Sequence, residues 1–343
     1  MENINVGIIG LGKMGILHTG ILNSFDDVNV VAIAEKEKLM SSNIKKVLKN
    51  VNAYTDYQKM FSKEDLDLVY ITTPTAFHTN ISKDCVESGI NFFVEKPLGI
   101  SKNDCNDLIK LMKNKKDVIN MVGYCKHFVD TFAKAKEILD SKILGEPLYL
   151  NSHMYVSQLF SKGKGWRYKK ESSGGGVLNI LATHLVDVLL WYFGDIATVS
   201  GSSKSYYSNE VEDFIHSYLT FDNGLEGYLD ASWSVRNYRL PEIRIEVQCS
   251  EGMLVVNDDC LKYYKDSEEK FTTLYKQDLY SGVEVDIGGP EYTRENRHLV
   301  NCVKNNKKSN IDVFYGYKVQ CVNDAIYKSA EERKTVDVDY GVI

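Results

Sequence analysis

Residues able to do chemistry gather at a few places along these 343 residues. The first is Val6–Gly15, VGIIGLGKMG, where Gly10, Gly12 and Gly15 stand at G-x-G-x-x-G spacing behind an apolar run. Glycines so spaced let a backbone approach a pyrophosphate. A helix opening at Lys13, Met14 and Gly15 would turn its free N–H groups towards that charge. Glu35, at the end of VNVVAIAE, stands about 20 residues further on, where such a turn needs an acid. Its carboxylate would accept hydrogen bonds from ribose hydroxyls and repel a 2′-phosphate. NAD is therefore expected, with NADP left open by Lys36 and Lys38 alongside. The second place is SKGKGWRYKK, Ser161–Lys170, where Lys162, Lys164, Arg167, Lys169 and Lys170 sit among glycines. A flexible, cation-rich loop suits a phosphate or diphosphate, through point charges and an arginine fork. A solvated basic loop is the alternative reading. The third is His184, on an apolar helical stretch after Gly174–Gly176, whose imidazole titrates near working pH and is the natural proton acceptor.

The elements that must hold these groups fall into two halves. Ile4–Ile9, Val28–Ala34, Leu66–Thr72, Asn91–Val94 and Val118–Val122 read as strands. Helical patterns lie between them: Lys13–Ser24, a lysine-rich stretch after the second strand, Ala76–Ser88 and Lys102–Lys115. Continuous Val- and Ile-rich strands alternating with helices predict a doubly wound parallel sheet, a Rossmann domain over residues 1–123. After a helix at Val129–Ser141 the pattern changes. Leu225, Gly227, Leu229, Ala231 and Trp233 alternate with polar residues, as do Ile243, Ile245 and Val247. Period two with one polar face predicts a mostly antiparallel, open sheet, with hairpin turns at Asp222–Gly224 and Glu251–Gly252. Helices at Val177–Phe193, Glu291–Lys304 and Phe314–Glu331 complete an α+β domain over residues 124–343, and the last helix could pack back on the first domain.

Three further segments give the chain a family resemblance. They are TTPTAFH (Thr72, Thr73, Pro74, His78), EKP (Glu95-Lys96-Pro97), and GGGVLNILATHLVD (Gly174–Gly176, His184, Asp187). With the Trp166-Arg167 pair and the Gly123–Phe128 crossover, they resemble the glucose–fructose oxidoreductase/inositol dehydrogenase (Gfo/Idh/MocA) family along nearly the whole chain. Thr72–Pro74 and Glu95–Pro97 end strands, where ligands of doubly wound sheets lie. The resemblance implies that these residues, with His78, Trp166 and Arg167, face the cofactor, Glu95 on its ribose. It gives Lys96 a hydrogen bond to the substrate hydroxyl, where a cation favours the alkoxide-like state, and makes His184 the catalytic histidine. The family commonly carries an aspartate four residues before that histidine; here Ile180 stands there. Asn179, one position off, would point about 100° around the helix. Asp187 matches the family pattern and is expected to serve helix and site architecture. Substrate contacts are expected from Lys96, Tyr124, Lys126, Tyr155, Lys162, Lys164, Arg167, Asn179, His184 and Arg236, with His127 and Trp233 as further lining candidates.

The expected activity is NAD(P)-dependent oxidation or reduction of a secondary hydroxyl or keto group on a sugar, most specifically a nucleotide sugar. An NAD-dependent glycosidase with transient oxidation and a non-catalytic NAD- and sugar-binding regulator are the rivals. Bulk properties fit: 43% hydrophobic and 26% charged residues, with 41 Lys and Arg against 47 Asp and Glu for a net charge of −6, give nucleic-acid binding no support. Seven scattered cysteines without a C-x-x-C pair predict reduced thiols and no metal site. Met1-Glu2-Asn3 leads straight into the first strand, and no stretch approaches the apolar length of a membrane span, so a cytoplasmic protein is expected. An open sheet face predicts a homodimer or homotetramer through the second domain.

Overall fold

The computed structural model describes residues 3–37 and 50–341. The lysine-rich helix expected after the second strand, and Lys38, lie outside the described residues. Strands β1 (Ile4–Ile9), β2 (Val28–Ala34), β3 (Asn52–Tyr54), β4 (Leu68–Ile71), β5 (Asn91–Val94) and β6 (Asn120–Val122) form one sheet in the order β3-β2-β1-β4-β5-β6. Every neighbouring pair is parallel. Among the described residues, the helices between them are α1 (Lys13–Leu22), α2 (Tyr57–Lys63), α3 (His78–Ser88) and α4 (Lys102–Asn114). All four residues of β4, and Phe92, Phe93 and Val94 of β5, are buried, as strands covered on both faces must be. The strand order reverses between β1 and β4, which opens a crevice at their carboxyl ends. Backbone bonds run on past the strand ends: Gly10 N–H to Ala34, Thr72 to Ile9, Glu95 to Ile71 and Gly123 to Val94, each at 2.9 Å. They set Gly10, Thr72, Glu95 and Gly123 in one row along that edge.

After α5 (Asp130–Asp140) come β7 (Pro147–Tyr155), α6 (Thr183–Phe193), β8 (Ile196–Lys204), β9 (Phe214–Phe221), β10 (Glu226–Ser232), β11 (Glu242–Cys249), β12 (Gly252–Asn257), β13 (Cys260–Lys265) and β14 (Lys270–Tyr275). Helices α7 (Pro290–Lys304) and α8 (Val313–Glu332) and the short β15 (Val336–Asp337) close the chain. The second sheet runs β14-β13-β12-β11-β7-β10-β9-β8-β15. It is antiparallel throughout except at its centre, where β7 and β10 are parallel: after β7 the chain crosses back through α6 to β8 and then reaches β10 by two antiparallel steps, β8 to β9 and β9 to β10. Buried and half-buried residues alternate along β11 as its pattern requires. One face packs under α5, α6 and α8. The other is open and displays Tyr149 and Tyr228.

The last helices bind the two halves together. Val122 N–H donates to Ile311, Val313 N–H to Asn120 Oδ1 (both 2.8 Å), and α8 packs on α4 as well as on α6. The stretch expected as one helix from Val177 starts as a π-helical turn, Leu178–Ala182, and becomes α-helical only at Thr183. Contrary to expectation, the run Lys170–Phe193 does have the length and apolar character of a membrane span. In the fold 83% of its most apolar stretch is buried, which is what a central core helix requires. All seven cysteines are free thiols.

Candidate active site

A cavity of about 1500 Å³ runs from the glycine turn, along the carboxyl edge of the first sheet, to the second sheet. Gly10, Gly12, Lys13, Met14 and Glu35 line its outer end. Gly10 has φ +93°, and a side chain there would meet the Thr72 carbonyl at 3.0 Å, so only glycine sits easily. Nothing lies within 4 Å of where a Cβ would stand on Gly12, so the backbone there is open to a ligand. Gly15 does not line the cavity. A Cβ on it would lie 2.0 Å from the Gly10 carbonyl oxygen; its absence lets α1 pack against the turn. Glu35 is fixed by backbone donors, Leu11 N–H at 2.7 Å and Glu37 N–H at 3.0 Å, which hold the carboxylate at the cavity edge. Lys36 is turned onto the Phe77 ring at 5.0 Å. Open backbone, a helix N-terminus and a fixed acid are what a dinucleotide's pyrophosphate and ribose need.

Further in, Thr72, Thr73, Pro74, His78, Glu95 and Lys96 line the cavity. Thr72 Oγ1 donates to Gly10 O at 2.7 Å, tying the two strand ends together. Both His78 ring nitrogens lie 2.8 Å from carbonyl oxygens, those of Pro97 and Thr73, so this histidine braces the two loops. Glu95 is buried and sits 3.1 Å from His18 Nε2, while His18 Nδ1 meets Asn296 at 3.1 Å. Burial pushes the Glu95 carboxyl up, but the hydrogen bond to His18 and neighbouring groups, Lys96 among them, together outweigh that and hold it below the usual range. Sequence reasoning missed His18 and Asn296, which lie on α1 and α7 and meet only in three dimensions.

Lys96 and His184 face the same part of the cavity, beside Ile180 and Leu181. Lys96 Nζ donates to the Ile180 backbone carbonyl at 2.7 Å. A backbone oxygen on the π-helical turn therefore holds the lysine, and the apolar Ile180 side chain takes no part in that bond. Burial draws the Lys96 ammonium below its ordinary value, partly opposed by Glu95. His184 is 9% exposed, and its Nδ1 is buried without a hydrogen-bond partner. Burial, with the positive charges of Lys96 and Lys126, pushes its pKa well below the usual histidine value, so the ring is neutral at pH 7.

Several expected contacts lie elsewhere. Tyr124 is fully buried beneath the site, its OH 3.1 Å from Thr183 Oγ1 and its ring edge-on to His184 at 6.1 Å. Tyr155 alternates onto the open face of the sheet and stacks on His153. Asn179 is turned into the core by the π-helical start, donating to Ser173 O at 2.7 Å and accepting from Gln320 and Asn323. His127 stacks on Trp191 and meets Asp187 Oδ1 at 2.7 Å, while Asp187 Oδ2 is buried without a hydrogen-bond partner. Arg236 is exposed over the Phe160 ring. Lys162 and Lys164 are exposed and outside the cavity lining; of the basic loop, Trp166 and Arg167 reach it. Lys126 lines it as expected, and buried Trp233 does too, its Nε1–H donating to Asp213 at 3.1 Å. Arg239, Glu242, Asp258 and Glu291 also line it. They come from turns and element ends whose sequence carries no chemical pattern.

Residues 4–124 match the model of an oxidoreductase family with an NAD-binding Rossmann fold, and residues 132–255 that of the Gfo/Idh/MocA C-terminal domain. The chain belongs to the Gfo/Idh/MocA family of NAD-dependent oxidoreductases. It is 23% identical to levoglucosan dehydrogenase of Pseudarthrobacter phenanthrenivorans over 98% of this chain and 99% of that one. It is 29% identical to myo-inositol 2-dehydrogenase of Thermotoga maritima, over 74% and 75%. It is 23% identical to 2,7-anhydro-N-acetylneuraminate hydratase of Mediterraneibacter gnavus, over 83% and 78%. A solved levoglucosan dehydrogenase, in complex with NADH and L-sorbose, shares the fold with a TM-score of 0.89 at 23% identity, covering 99% of this chain and 100% of that one.

Proposed function

We propose that the protein is an NAD-dependent dehydrogenase, or the corresponding reductase, acting on a secondary hydroxyl of a sugar or cyclitol. The observation that carries this reading is the convergence of Lys96 and His184 on one cavity that begins at Gly10 and Gly12. Relatives named for levoglucosan and inositol support the substrate class. Bound NAD⁺ would accept the hydride lost by the carbinol carbon. Lys96, anchored by the Ile180 carbonyl, keeps further N–H bonds for the substrate oxygen and stabilises charge that develops there. Neutral His184 takes the hydroxyl proton. Tyr124, its hydroxyl tied to Thr183, packs edge-on against the His184 ring. Glu35 and the commitment of Lys36 to Phe77 favour NAD over NADP.

A nucleotide-linked sugar is the finer form of this reading, supported by Arg167 in the cavity wall and the exposed lysines of the same loop. A redox-neutral reaction that leaves NAD unchanged overall is the second reading, favoured by the hydratase relative. The test is reduced-nicotinamide absorbance with NAD and two substrate sets, free sugars and cyclitols against nucleotide sugars. NADH formed in either set supports the dehydrogenase. NADH from nucleotide sugars alone supports the finer form. Product without net NADH supports the redox-neutral reading.

A further inference from the structure

Lys96 and His184 do not use every charge in the cavity. Lys126 lies in the turn Cys125–Phe128, just beyond the first sheet, with its side chain 14% exposed. Its ammonium pairs with the carboxylate of Asp258, and both residues line the cavity. Asp258 belongs to the hairpin between β12 and β13, which is held from three sides. Asn257 Oδ1 accepts the N–H groups of Asp259 and Cys260 at 3.0 and 2.9 Å. Thr131 of α5 donates to the Asn257 carbonyl at 2.8 Å, and Asp258 Oδ2 takes the N–H of Ile243 at 3.3 Å. The carboxylate is therefore a fixed piece of wall.

A buried ammonium is costly unless something pairs it. In a binding cavity the partner is either an anionic group of the ligand or a carboxylate of the protein. Here the protein supplies it: the same cavity also holds the cations Lys96, Arg167, Arg239 and Lys276 and the acids Glu242, Asp259 and Glu291, but the Lys126 ammonium itself is neutralised by Asp258. An incoming anion would meet Asp258 and lose its own hydration, a like-charge contact in a low-dielectric site. Uncharged neighbouring hydroxyls would find an N–H donor and a carboxylate acceptor side by side.

Resting on the dehydrogenase reading above, we propose that Asp258 is a specificity-determining residue: paired with Lys126, it selects a substrate ring whose edge at this point carries neutral hydroxyls, and rejects one carrying a carboxylate or phosphate there. The test compares kcat/KM with NAD for neutral sugars and cyclitols against the matching uronates and sugar phosphates, in the wild type, Asp258→Asn and Lys126→Gln. Wild type should favour the neutral member of each pair at least tenfold. Asp258→Asn, which keeps the shape and frees Lys126, should lower that preference at least tenfold, mainly through KM for the anions. Lys126→Gln should raise it. A wild type that prefers anions, or a preference unmoved in both variants while turnover persists, overturns the inference. If the wild type turns over no sugar at all, the dehydrogenase reading fails. The inference is then decided by thermal shift of the NADH-loaded proteins with the same ligands. A gain in anion-induced stabilisation for Asp258→Asn upholds it, and the same ligand ranking in all three proteins overturns it.

Discussion

Alanine at Gly12 and alanine at Gly15 should fail in opposite ways. Gly12 caps α1 with φ −65° and ψ −174°, a conformation any residue adopts, and no atom lies within 4 Å of the new methyl. Gly12→Ala should therefore change folding stability by no more than about 1 kcal/mol, the scale on which alanine is a poorer helix cap than glycine. The same methyl would stand where the pyrophosphate must approach. Losing those backbone contacts should weaken NADH binding roughly 10- to 100-fold, or about 1.4–2.8 kcal/mol. Gly15→Ala puts a carbon 2.0 Å from the Gly10 carbonyl and 2.8 Å from Thr72 Oγ1, and the backbone atom cannot swing away. Overpacking of this kind costs about 1–3 kcal/mol, which lowers Tm by several degrees at roughly 2–4 °C per kcal/mol. Differential scanning fluorimetry and an NADH fluorescence titration read the two effects separately. Wild-type NADH affinity in Gly12→Ala would refute the argument, because the glycines would then be shaping a turn and nothing more.

The other predictions address the inner site, cofactor choice and assembly. His184→Asn should lower kcat for oxidation by about 10²–10⁴, the range for removing a general base. The wild-type kcat/KM should stay high as pH falls through 6.5, because the buried imidazole protonates only well below that value; an acid limb centred at 6.5 or above would contradict its place in the cavity. Glu35→Ser should move the NAD-to-NADP preference at least tenfold towards NADP, by removing the carboxylate that repels a 2′-phosphate; an unchanged ratio in steady-state kinetics would refute its role. The open face of the second sheet, with Tyr149 and Tyr228 about half exposed, should pair with another copy, and a monomer mass by static light scattering would refute that.

Long-range order was legible wherever periodicity carried it. Asn91–Val94 reads as a strand because three buried residues run together, and β11 because its buried residues alternate. Asn52–Tyr54 was missed: three residues on a sheet edge show neither pattern. The parallel pairing of β7 with β10 escaped for another reason, since strand direction depends on the connection and not on the strand's own residues. The residues that line the cavity were legible where residue type is rare and spacing fixed, as at Gly10, Gly12, Glu35, Lys96 and His184. The site was misread where facing decides. Asn179 and Tyr155 are polar enough to touch a substrate, but a π-helical turn and strand alternation aim them elsewhere. Ile180 stands where the family commonly carries an aspartate. The backbone carbonyl of that residue holds Lys96, a contact no side-chain pattern could announce.

The central claim is that Lys96 and His184 act on a secondary hydroxyl next to bound NAD. The most direct measurement is NADH formation by the wild type and Lys96→Met across a panel of neutral sugars and cyclitols, with NADH affinity measured in parallel. NADH should accumulate with at least one wild-type substrate, and Lys96→Met should bind NADH normally yet lose activity by roughly 10²–10³, as for a lost charge-stabilising donor. Equal rates in the two proteins, or no turnover of any member by a wild type that binds NADH, would contradict it.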